Sequence, residues 1–405
     1  MTVMTDPPSE QFRLSMLLYD RRYRSLTIQI IALIGFMLAL GWLGTNAARN
    51  LADLGKPLGF GFLGDPAGYD INQRLIEYTS QSTHLRAAAV GLLNTLLVAF
   101  LGCLLATVLG VIIGVLRLSS NWIVARIMTF YVEAFRNVPV LLWIVFAMAI
   151  FIETLPAPRD FRGENPAASM LLGDSVALTN RGWYVPAPVF ESGSWIVVLV
   201  LLASIVGIWF FGRWAKAKQD TTGEILPTFW IKLAIFFVPV LIFYFIMGRP
   251  IGLEYPELKG FNFKGGIYMR NSLIALWIAL SLYTAAFIAE IVRAGILSVS
   301  KGQSEAAFAL GLRPNRTMNL VILPQALRVI IPPLISNYLN LTKNSSLAIA
   351  VGYMDITGTL GGITLNQTGR EMECLLLLML CYLIISLSIS AVMNWYNESV
   401  KLRER

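Results

Sequence analysis

Histidine and cysteine are scarce in this sequence, and their scarcity excludes several kinds of chemical site. The 405 residues include one histidine and three cysteines. Cys103, Cys374 and Cys381 lie in or beside apolar segments, with no CxxC spacing and no histidine cluster near them. We therefore expect neither a disulfide nor a metal site. The single histidine, His84, lies in a polar loop, which argues against a membrane-embedded enzyme built on clustered His, Asp or Ser side chains.

Charged residues are also few. Only 14% of the residues are charged, whereas 56% are hydrophobic, and the mean hydropathy is +0.65. This composition is too apolar for an ordinary soluble protein of this length and indicates an integral membrane protein. The net charge of +8 comes from Lys and Arg in short clusters beside apolar segments. Such clusters orient helices in a membrane, and we expect no nucleic-acid binding.

Two sequence patterns of transport proteins are missing. No segment matches G-x-x-x-x-G-K-[ST], so the chain is not expected to bind ATP through a P-loop. No inverted repeat relates the two halves of the sequence, which weakens an interpretation as a secondary transporter.

Long apolar runs, by contrast, are abundant. A helix needs about 20 apolar residues to cross a bilayer, and this length predicts an all-α membrane protein with about eight transmembrane helices. The candidate spans are residues 27–45, 88–116, 127–152, 194–212, 229–248, 272–297, 332–353 and 374–396. The first span follows a charged tail at residues 1–26, so we interpret it as an uncleaved anchor. Ala106, Gly110 and Gly114 form a small-residue face in the second span, which predicts close helix packing.

The distribution of Lys and Arg predicts how these spans are oriented. Both residue types are denser in the terminal tails and in every second loop, including residues 298–331. Because such loops remain on the cytoplasmic side, both termini are expected to be cytoplasmic.

Two loops on the predicted outer side are unusually long. Residues 46–87 and 153–193 are rich in Gly, Pro and Asn. They form either an ordered docking rim or simple connections between helices. Trp183, Tyr184 and Phe190 favour an ordered structure, although aromatic residues also anchor proteins at the membrane interface.

The most informative segment runs from Ser298 to Leu334 and is predicted to be cytoplasmic. Its first half has the pattern of a short helix. Ser304 can cap the helix, Glu305 places an acid at its positive end, and Gly311 ends it. Ala306, Ala307 and Ala309 leave the backbone accessible for close packing, so this surface either binds a partner or lies on the membrane interface.

The second half of the segment predicts another short helix. Pro314 is suited to begin it and Pro324 to end it.

These residues resemble a known motif. Glu305-Ala306-Ala307, Gly311 and Ile322-Leu323-Pro324 resemble the EAA motif of ABC importer permeases. Further blocks resemble the polar amino-acid permease family, in the family's order, at Gly91–Ala99, Tyr131–Phe146, Tyr283–Val299 and Asn340–Ala348. The outer loop "GFGFL…AGYDI" and the terminal "AVMNWYN" extend the resemblance to the Q-type permease subunit of the general L-amino-acid transporters (Aap/Bzt type).

This resemblance implies the fold of a type I ABC importer permease in a bacterial inner membrane. The five core helices of the family correspond to the spans that begin at residues 88, 127, 272, 332 and 374. The implied organisation is a cytoplasmic tail at 1–26, an anchor helix and periplasmic loop at 27–87, a permease domain at 88–396 and a cytoplasmic tail at 397–405. Within the permease domain lie an insert at about 153–270, which contains an extra helix pair, and the coupling segment at 298–331. Packing support is the expected role of the extra pair.

The resemblance also implies the function and the partners. The chain is expected to move L-amino acids from periplasm to cytoplasm, and Glu305, Ala306, Ala307 and Gly311 are expected to contact a separate ATPase. ATP and Mg would be bound by that ATPase, so no cofactor and no enzymatic activity are expected in this chain. The expected partners are two ATPase subunits, a sister permease in a heterodimer, a periplasmic amino-acid-binding protein and the lipid bilayer.

Polar residues within one predicted span need an explanation. Asn337, Asn340 and Asn344 follow the spacing of a single helix face, and Lys343 lies beside them. A Lys at the bilayer centre costs about 2.5 to 3.5 kcal/mol on insertion scales. The face therefore either lines the substrate path or forms hydrogen bonds with neighbouring helices. Lys343 would suit the carboxylate of an amino acid, or would pair with Glu290.

Four other charged or amide residues are candidates for the path or its gate. Glu290 and Arg293 are three residues apart and either satisfy each other or gate the inner end of the path. Arg136 and Asn137 precede Pro139, which can start or kink a helix. Arg136 either lines the path or extends its charge to the membrane surface.

Other classes of function remain open from the residues alone. An ion-coupled secondary transporter would use Glu290 and Lys343 as a charge relay. A passive channel or scaffold would not need a cytoplasmic coupling segment.

Overall fold

The computed structural model describes residues 16–53, 55, 57–163, 165–224 and 226–400. The predicted tails at 1–26 and 397–405 therefore lie partly outside the described residues. The α-helices are α1 (Met16–Tyr19), α2 (Arg21–Asp53), α3 (His84–Leu116), α4 (Trp122–Asn137), α5 (Val140–Thr154), α6 (Ser194–Thr222), α7 (Thr228–Ile246), α8 (Asn271–Leu297), α9 (Lys301–Ala309), α10 (Pro314–Thr317), α11 (Leu323–Asn344), α12 (Leu365–Thr368) and α13 (Glu371–Val400).

The number of predicted spans is confirmed. In the described residues seven helices are long and apolar enough to cross a membrane, and α4 with α5 would make an eighth. Several of these helices are longer than the apolar runs that predicted them, since α2 has 33 residues and α3 also has 33. A helix of that length rises about 50 Å, so its ends extend beyond the hydrocarbon layer.

The span predicted at 127–152 is bent at Pro139, which the sequence identified as a residue that can start or kink a helix. The helix breaks at Val138 and Pro139, and α4 and α5 meet at an angle of 107°. Pro139 has no backbone N–H to donate and disfavours a helical conformation at Val138, which is extended with φ −109° and ψ 134°. The stacked rings of Phe135 and Trp143, 4.2 Å apart, hold the two helices across the break.

The most extensive helix packing joins α3 and α8. A Cβ atom added at Gly110 would lie 2.6 Å from the Ile288 side chain, and one at Gly114 would lie 2.7 Å from the carbonyl oxygen of Ala289. Ala106, on the same face, is fully buried. The predicted small-residue face is therefore confirmed, because only glycine lets the two backbones approach this closely.

Helix α8 is the centre of the packed core. Leu276, Leu280 and Ile288 of α8 are buried together with Val98 of α3 and Leu341 of α11. Helices α3, α4, α5, α11 and α13 surround α8 or pack on its neighbours. They correspond to the five spans assigned to the permease core.

The inserted pair α6 and α7 packs mainly on itself. No residue of α7 is buried. The most apolar part of α2, outside the pair, also contains no buried residue. Gly207 and Gly212 of α6 lie against Ile235 and Lys232 of α7. The pair contributes little to the core of this chain, and its expected role of packing support stays a prediction.

Short strands within the insert depart from the expected all-α fold. They are β1 (Ala177–Thr179), β2 (Gly182–Val185), β3 (Ala187–Phe190), β4 (Ile251–Glu254), β5 (Glu257–Lys259), β6 (Asn262–Lys264) and β7 (Ile267–Arg270). They pair antiparallel in the orders β1-β2-β7, β3-β4 and β5-β6. We call residues 156–163, 165–190 and 251–270 the outer rim.

The outer rim is ordered around aromatic side chains, as Trp183, Tyr184 and Phe190 indicated. Tyr184 is 3% exposed and packs on Tyr268 and Phe263, with ring centroids 4.7 and 5.3 Å away. Burial raises the pKa of Tyr184 to about 12. The hydroxyl therefore stays protonated near neutral pH and donates a hydrogen bond to Asn262 Oδ1 at 2.9 Å.

The other long outer loop, residues 57–83, is held against the segment between α11 and α13. Tyr69 Oη lies 3.0 Å from Thr364 Oγ1, and the side chain of Asn94 donates to the carbonyl oxygens of Gln73 and Met354 at 2.7 and 2.8 Å. The sequence placed His84 in the loop, but in the structure it is the first residue of α3. It is 4% exposed, and its Nδ1 lies 3.1 Å from Thr364 Oγ1, which is a structural contact.

Candidate functional site

The coupling segment begins with α9, and its start differs from the prediction. Ser300 rather than Ser304 precedes the helix, and its side chain makes no capping hydrogen bond. Glu305 consequently lies in the middle of α9 and not in its first turn. The predicted stop at Gly311 is confirmed, since Gly311 has φ +77° and its N–H donates to the Phe308 carbonyl at 2.9 Å.

The second half of the segment is not a separate short helix. Pro314 does occupy the first turn of α10, as predicted. However, α10 continues through a π-helical turn at Met318–Ile322 into α11, and Pro324 lies in the first turn of α11. Proline is tolerated there because the π-helical turn directly before it interrupts the regular i→i−4 hydrogen bonds of an α-helix. The coupling segment is thus joined directly to a membrane-spanning helix.

The exposed face of the coupling segment combines one acid with large apolar side chains. Glu305 and Ala306 are exposed, whereas Ala307 is 3% exposed and packs inward. Phe308 and Leu310 are 52% and 81% exposed. Contiguous apolar side chains on an exposed face are typical of a binding surface. Ala307 supports this surface from beneath and is not accessible to a partner.

An ion network lies at the end of the helix bundle from which the coupling segment extends. Arg293 Nη2 lies 2.6 Å from Glu290 Oε1, and Arg117 bonds Glu290 Oε2. Arg117 is the C-cap residue of α3, and its side chain is 8% exposed. The mutual pairing expected for Glu290 and Arg293 is confirmed, and the structure adds Arg117 as a third member.

The predicted polar face of α11 points away from the chain's own core. Asn340 and Lys343 are exposed, and Asn337 and Asn344 are half-buried. Asn337 bonds its own helix at the carbonyl of Pro333, 2.9 Å away. Within the described residues, no side-chain hydrogen bond links these four residues to another helix, and Lys343 does not pair with Glu290. The alternative of hydrogen bonding within the chain therefore gains no support.

Arg136 and Asn137 end α4 at the break before α5. Both are exposed, and Asn137 Nδ2 lies 3.3 Å from Glu133 Oε2. The Arg136 guanidinium lies 5.5 Å from the ring centroid of Phe287 on α8. A cation at a helix carboxyl end is favoured by the helix dipole, so this position has a structural explanation as well as a functional one.

A cavity of about 460 Å³ lies beyond the outer end of α11. Its walls include Ile349, Gly352, Tyr353, Gly362 and Asn366. The wall is formed in part by the 3₁₀ helix Ser345–Val351 and the π-helical segment Thr357–Thr364. Sequence reasoning did not find this feature, although the glycine-rich run "GTLGG" was a signal for it.

Asp355 fastens this outer segment. It is fully buried, and its carboxylate accepts hydrogen bonds from Gly358 N at 2.8 Å and from Tyr382 Oη at 3.2 Å. The segment is thereby tied to α13, so the cavity has a fixed wall.

Known proteins match the chain along its whole length. Residues 221–403 match the family described as the binding-protein-dependent transport system inner membrane component. The glutamate/glutamine/aspartate/asparagine transport system permease protein BztB of Rhodobacter capsulatus is 57% identical, with 100% of both chains covered. The chain belongs to the amino-acid ABC importer permeases of the Aap/Bzt type. The general L-amino acid transport system permease protein AapQ of Rhizobium johnstonii is 45% identical over 96% of this chain and 95% of that one. The putative amino-acid ABC transporter permease protein YhdX of Escherichia coli K12 is 44% identical over 94% and 95%.

Membership in this family decides between the classes of function that the residues left open. An ABC importer permease is driven through a separate ATPase, and the secondary-transporter alternative is not supported. The geometry agrees, because a relay between Glu290 and Lys343 is not formed and both arginines in the network hold Glu290. The permease is a multi-pass protein of the inner membrane.

The resemblance in the sequence identified the family but not all of the permease's structural residues. Arg117, Asp355 and Tyr382 were missed. Arg117 had a signal, since it follows an apolar span directly, but its partner lies 173 residues further along the chain.

Proposed function

We propose that this permease subunit forms one half of an amino-acid path and is coupled to its ATPase through α9. The observation that carries the proposal is the exposed face of α9, where Glu305 lies beside Phe308 and Leu310. An exposed carboxylate surrounded by apolar side chains suits a groove that offers a basic residue. The turn at Gly311 joins α9 to α10, and α10 continues into α11, so a displacement of this surface reaches the polar face of α11 across a single turn.

The polar face of α11 supports the proposal that a second permease subunit is a partner. Asn340 and Lys343 cannot face lipid without a large cost, and no described helix of this chain covers them. A sister subunit with its own polar face would enclose an aqueous path between the two. The Q-type resemblance favours a heterodimer. Three other candidate residues lie outside this face: Arg136, Asn137 and Glu290. They are proposed to affect the path indirectly, by fixing where α4 and α8 lie.

The proposed cargo is a broad range of L-amino acids. The relatives named for glutamate, glutamine, aspartate and asparagine, and for general L-amino acids, support this range. Lys343 supplies a cation for a carboxylate, and no acidic side chain on the polar face would select basic amino acids. A soluble binding protein would deliver the amino acid and set the finer selectivity.

The energy for transport would come from two ATPase subunits that bind ATP and Mg. The permease itself is proposed to have no enzymatic activity. The termini and α9 would lie in the cytoplasm, and the outer rim in the periplasm, consistent with the density of Lys and Arg.

Charge reversal at Glu305 tests the proposal. In proteoliposomes that contain the assembled transporter, Glu305→Lys should leave the permease inserted while ATP hydrolysis and amino-acid uptake become uncoupled. Asp220→Lys, at an exposed carboxylate near the end of α6, is a matched control. Coupling that is unchanged in Glu305→Lys would contradict the proposal.

Copurification tests the partners directly. Affinity purification of the permease in mild detergent, followed by mass spectrometry, should recover an ATPase subunit and a second permease. Recovery of the permease without an ATPase would overturn the coupling proposal, and recovery without another permease sequence would overturn the heterodimer.

A further inference from the structure

The outer rim contains a concentration of arginine that the proposed path does not use. Arg159, Arg162 and Arg181 line a cavity of about 290 Å³ together with Asn180 and Phe261. The three arginines come from two different parts of the rim. Arg159 and Arg162 lie in and just after the 3₁₀ helix Pro158–Phe161, and Arg181 lies at the turn between β1 and β2.

The backbone beneath these arginines is well fixed. The Arg181 N–H donates to Thr179 Oγ1 at 3.2 Å, and the Arg181 carbonyl accepts from Tyr268 Oη at 2.9 Å. Phe161, one residue before Arg162, packs edge to face on Phe263 with centroids 5.3 Å apart. The positive groups therefore project from a rigid support and are not carried by a loose loop.

These arginines have little negative charge to balance them. Asp160 Oδ1 lies 3.6 Å from Arg159 Nε, and its other oxygen accepts the Ala157 N–H at 2.8 Å. In the described parts of the rim, no ion pair involves Arg162 or Arg181. The cavity is therefore positively charged and suited to carboxylates.

An exposed phenylalanine adjoins this charge. Phe261 is 85% exposed at the turn between β5 and β6, and the Arg162 guanidinium lies 5.4 Å from its ring centroid. An aromatic ring and several arginines, exposed together, have the composition of the energetically important centre of a protein interface.

The character of the surface favours a protein over a small ligand or a lipid. Small-molecule sites usually enclose most of the ligand, whereas Phe261 and the Arg159 side chain, which is 86% exposed, project outward. The hairpin that carries Phe261 is charged, with Lys259 Nζ 2.8 Å from Glu257 Oε2 and both side chains more than 60% exposed. A hairpin that inserted into lipid would be apolar.

The position of the rim indicates which partner this is. Strand β7 ends at Arg270, where α8 begins, and the coupling segment starts just after α8 ends at Leu297. The 27 residues of α8 span about 40 Å, so the arginines and the ATPase surface lie at opposite ends of the same helix. A partner at the rim is therefore a protein of the other side of the membrane.

We propose that Arg159, Arg162, Arg181 and Phe261 dock an acidic surface of the soluble amino-acid-binding protein. The docking rests on the proposed function, which supplies that partner and the periplasmic orientation of the rim. Acidic side chains of the binding protein enter the arginine-lined cavity, and Phe261 packs against an apolar patch beside them. Charge complementarity of this kind accelerates association and makes it sensitive to salt.

The test is the stimulation of ATP hydrolysis by the amino-acid-loaded binding protein. The complete transporter is reconstituted in vesicles of neutral lipid, and the binding protein is titrated at low and high salt. The double variant Arg162→Glu/Arg181→Glu should raise the half-saturating concentration of binding protein at least tenfold at low salt, and Phe261→Ala should raise it severalfold. Lys264→Glu reverses an exposed charge elsewhere on the same rim and should leave it unchanged.

Three results would overturn the docking. The first is an unchanged half-saturating concentration in the double variant. The second is a loss of ATP hydrolysis in the double variant that occurs without binding protein and only when anionic lipid is added to the vesicles. This result would assign the arginines to the membrane surface. The third is binding of free glutamate to the wild-type transporter, lost in the double variant, without any change in stimulation.

Failure of the proposed function would look different. If the wild-type permease recovered no ATPase, or if Glu305→Lys left coupling intact, the error would lie at the cytoplasmic surface. A normal response to Glu305→Lys together with an unchanged titration in Arg162→Glu/Arg181→Glu would overturn only the docking.

Discussion

Glu290 on α8 holds Arg117 at the carboxyl end of α3, so one ion pair fastens together the two helices of the permease that share the most extensive contact. The same carboxylate bonds Arg293, one turn further along α8. The side chain of Arg117 is 8% exposed and that of Glu290 is 27% exposed. The coupling segment begins only a few residues beyond this network, at Lys301, so the network stabilises the helix ends from which α9 projects.

Removal of Glu290 should destabilise the permease more than removal of either arginine. Glu290→Ala leaves two guanidinium groups without a counter-charge, and because only Arg117 is buried, a loss of about 1 to 3 kcal/mol is expected for its unpaired donor groups. Arg293→Ala leaves Glu290 paired with Arg117 and should cost less. Thermal unfolding of the purified protein in detergent measures both, with Arg126→Ala, an exposed arginine on α4, as the control. Equal midpoints for Glu290→Ala and Arg126→Ala would contradict the importance of the network.

A large side chain at Gly114 should prevent α3 and α8 from packing. The new Cβ would lie 2.7 Å from the Ala289 carbonyl and 2.8 Å from Val292, and overpacking of a tight contact costs about 1 to 3 kcal/mol. Gly114→Leu is expected to reduce the yield of monodisperse protein on size-exclusion chromatography. Gly44→Leu in α2, where no atom lies within 4 Å, should behave as wild type. A normal elution profile for Gly114→Leu would show that the packing is looser than described.

Loss of the charge at Lys343 should slow transport without weakening the fold. Lys343 is exposed on α11 and pairs with no described carboxylate, so Lys343→Gln removes little from the folded chain. If the residue faces the path, the initial rate of amino-acid uptake should fall about tenfold, equivalent to about 1.4 kcal/mol. Lys216→Gln, at an exposed position on α6, is the matched control. An uptake rate equal to that of the control would remove Lys343 from the path.

Loss of the Asp355 carboxylate should destabilise the segment that forms the outer wall of the cavity of about 460 Å³. Asp355→Ala leaves the Gly358 N–H without an acceptor and removes one acceptor of the Tyr382 hydroxyl, and a buried unsatisfied group costs about 1 to 3 kcal/mol. Asp355→Asn retains one carbonyl oxygen and should cost less. Unfolding midpoints of the two variants, compared with Asp70→Ala at an exposed position, provide the measurement. If Asp355→Ala were no less stable than Asp355→Asn, the hydrogen bonds would not hold the segment.

Local features of the permease were predictable from the sequence. The spans followed from apolar length, because a backbone in lipid must satisfy its hydrogen bonds within a helix. The stop at Gly311 also followed, since a positive φ is a local demand that glycine meets best. The end predicted at Pro324 was wrong because the π-helical turn before this residue lets the helix continue through a proline. Local chemistry at Pro324 was compatible with both outcomes, and the path of α10 into α11 decided between them.

The polar face of α11 also has one feature that was predictable from the sequence and one that was not. Its spacing placed Asn337, Asn340 and Asn344 together because helical periodicity is a property of neighbouring residues. Whether Lys343 met Glu290 depended on where α8 and α11 lie relative to each other, and no pattern in either helix contains that information.

The sequence by itself determined that this is a membrane protein, where its helices run, and which family of importers it belongs to. Each of these depends on apolar length, local backbone preference or a motif of adjacent residues. Only the tertiary structure decided that Arg117 completes the Glu290 network and that Ala307 faces inward. It also decided that Arg181 lines one cavity of the outer rim with Arg159 and Arg162, which lie in a different part of the chain. Those outcomes depend on side chains brought together from distant parts of the chain by packing, which local periodicity does not specify.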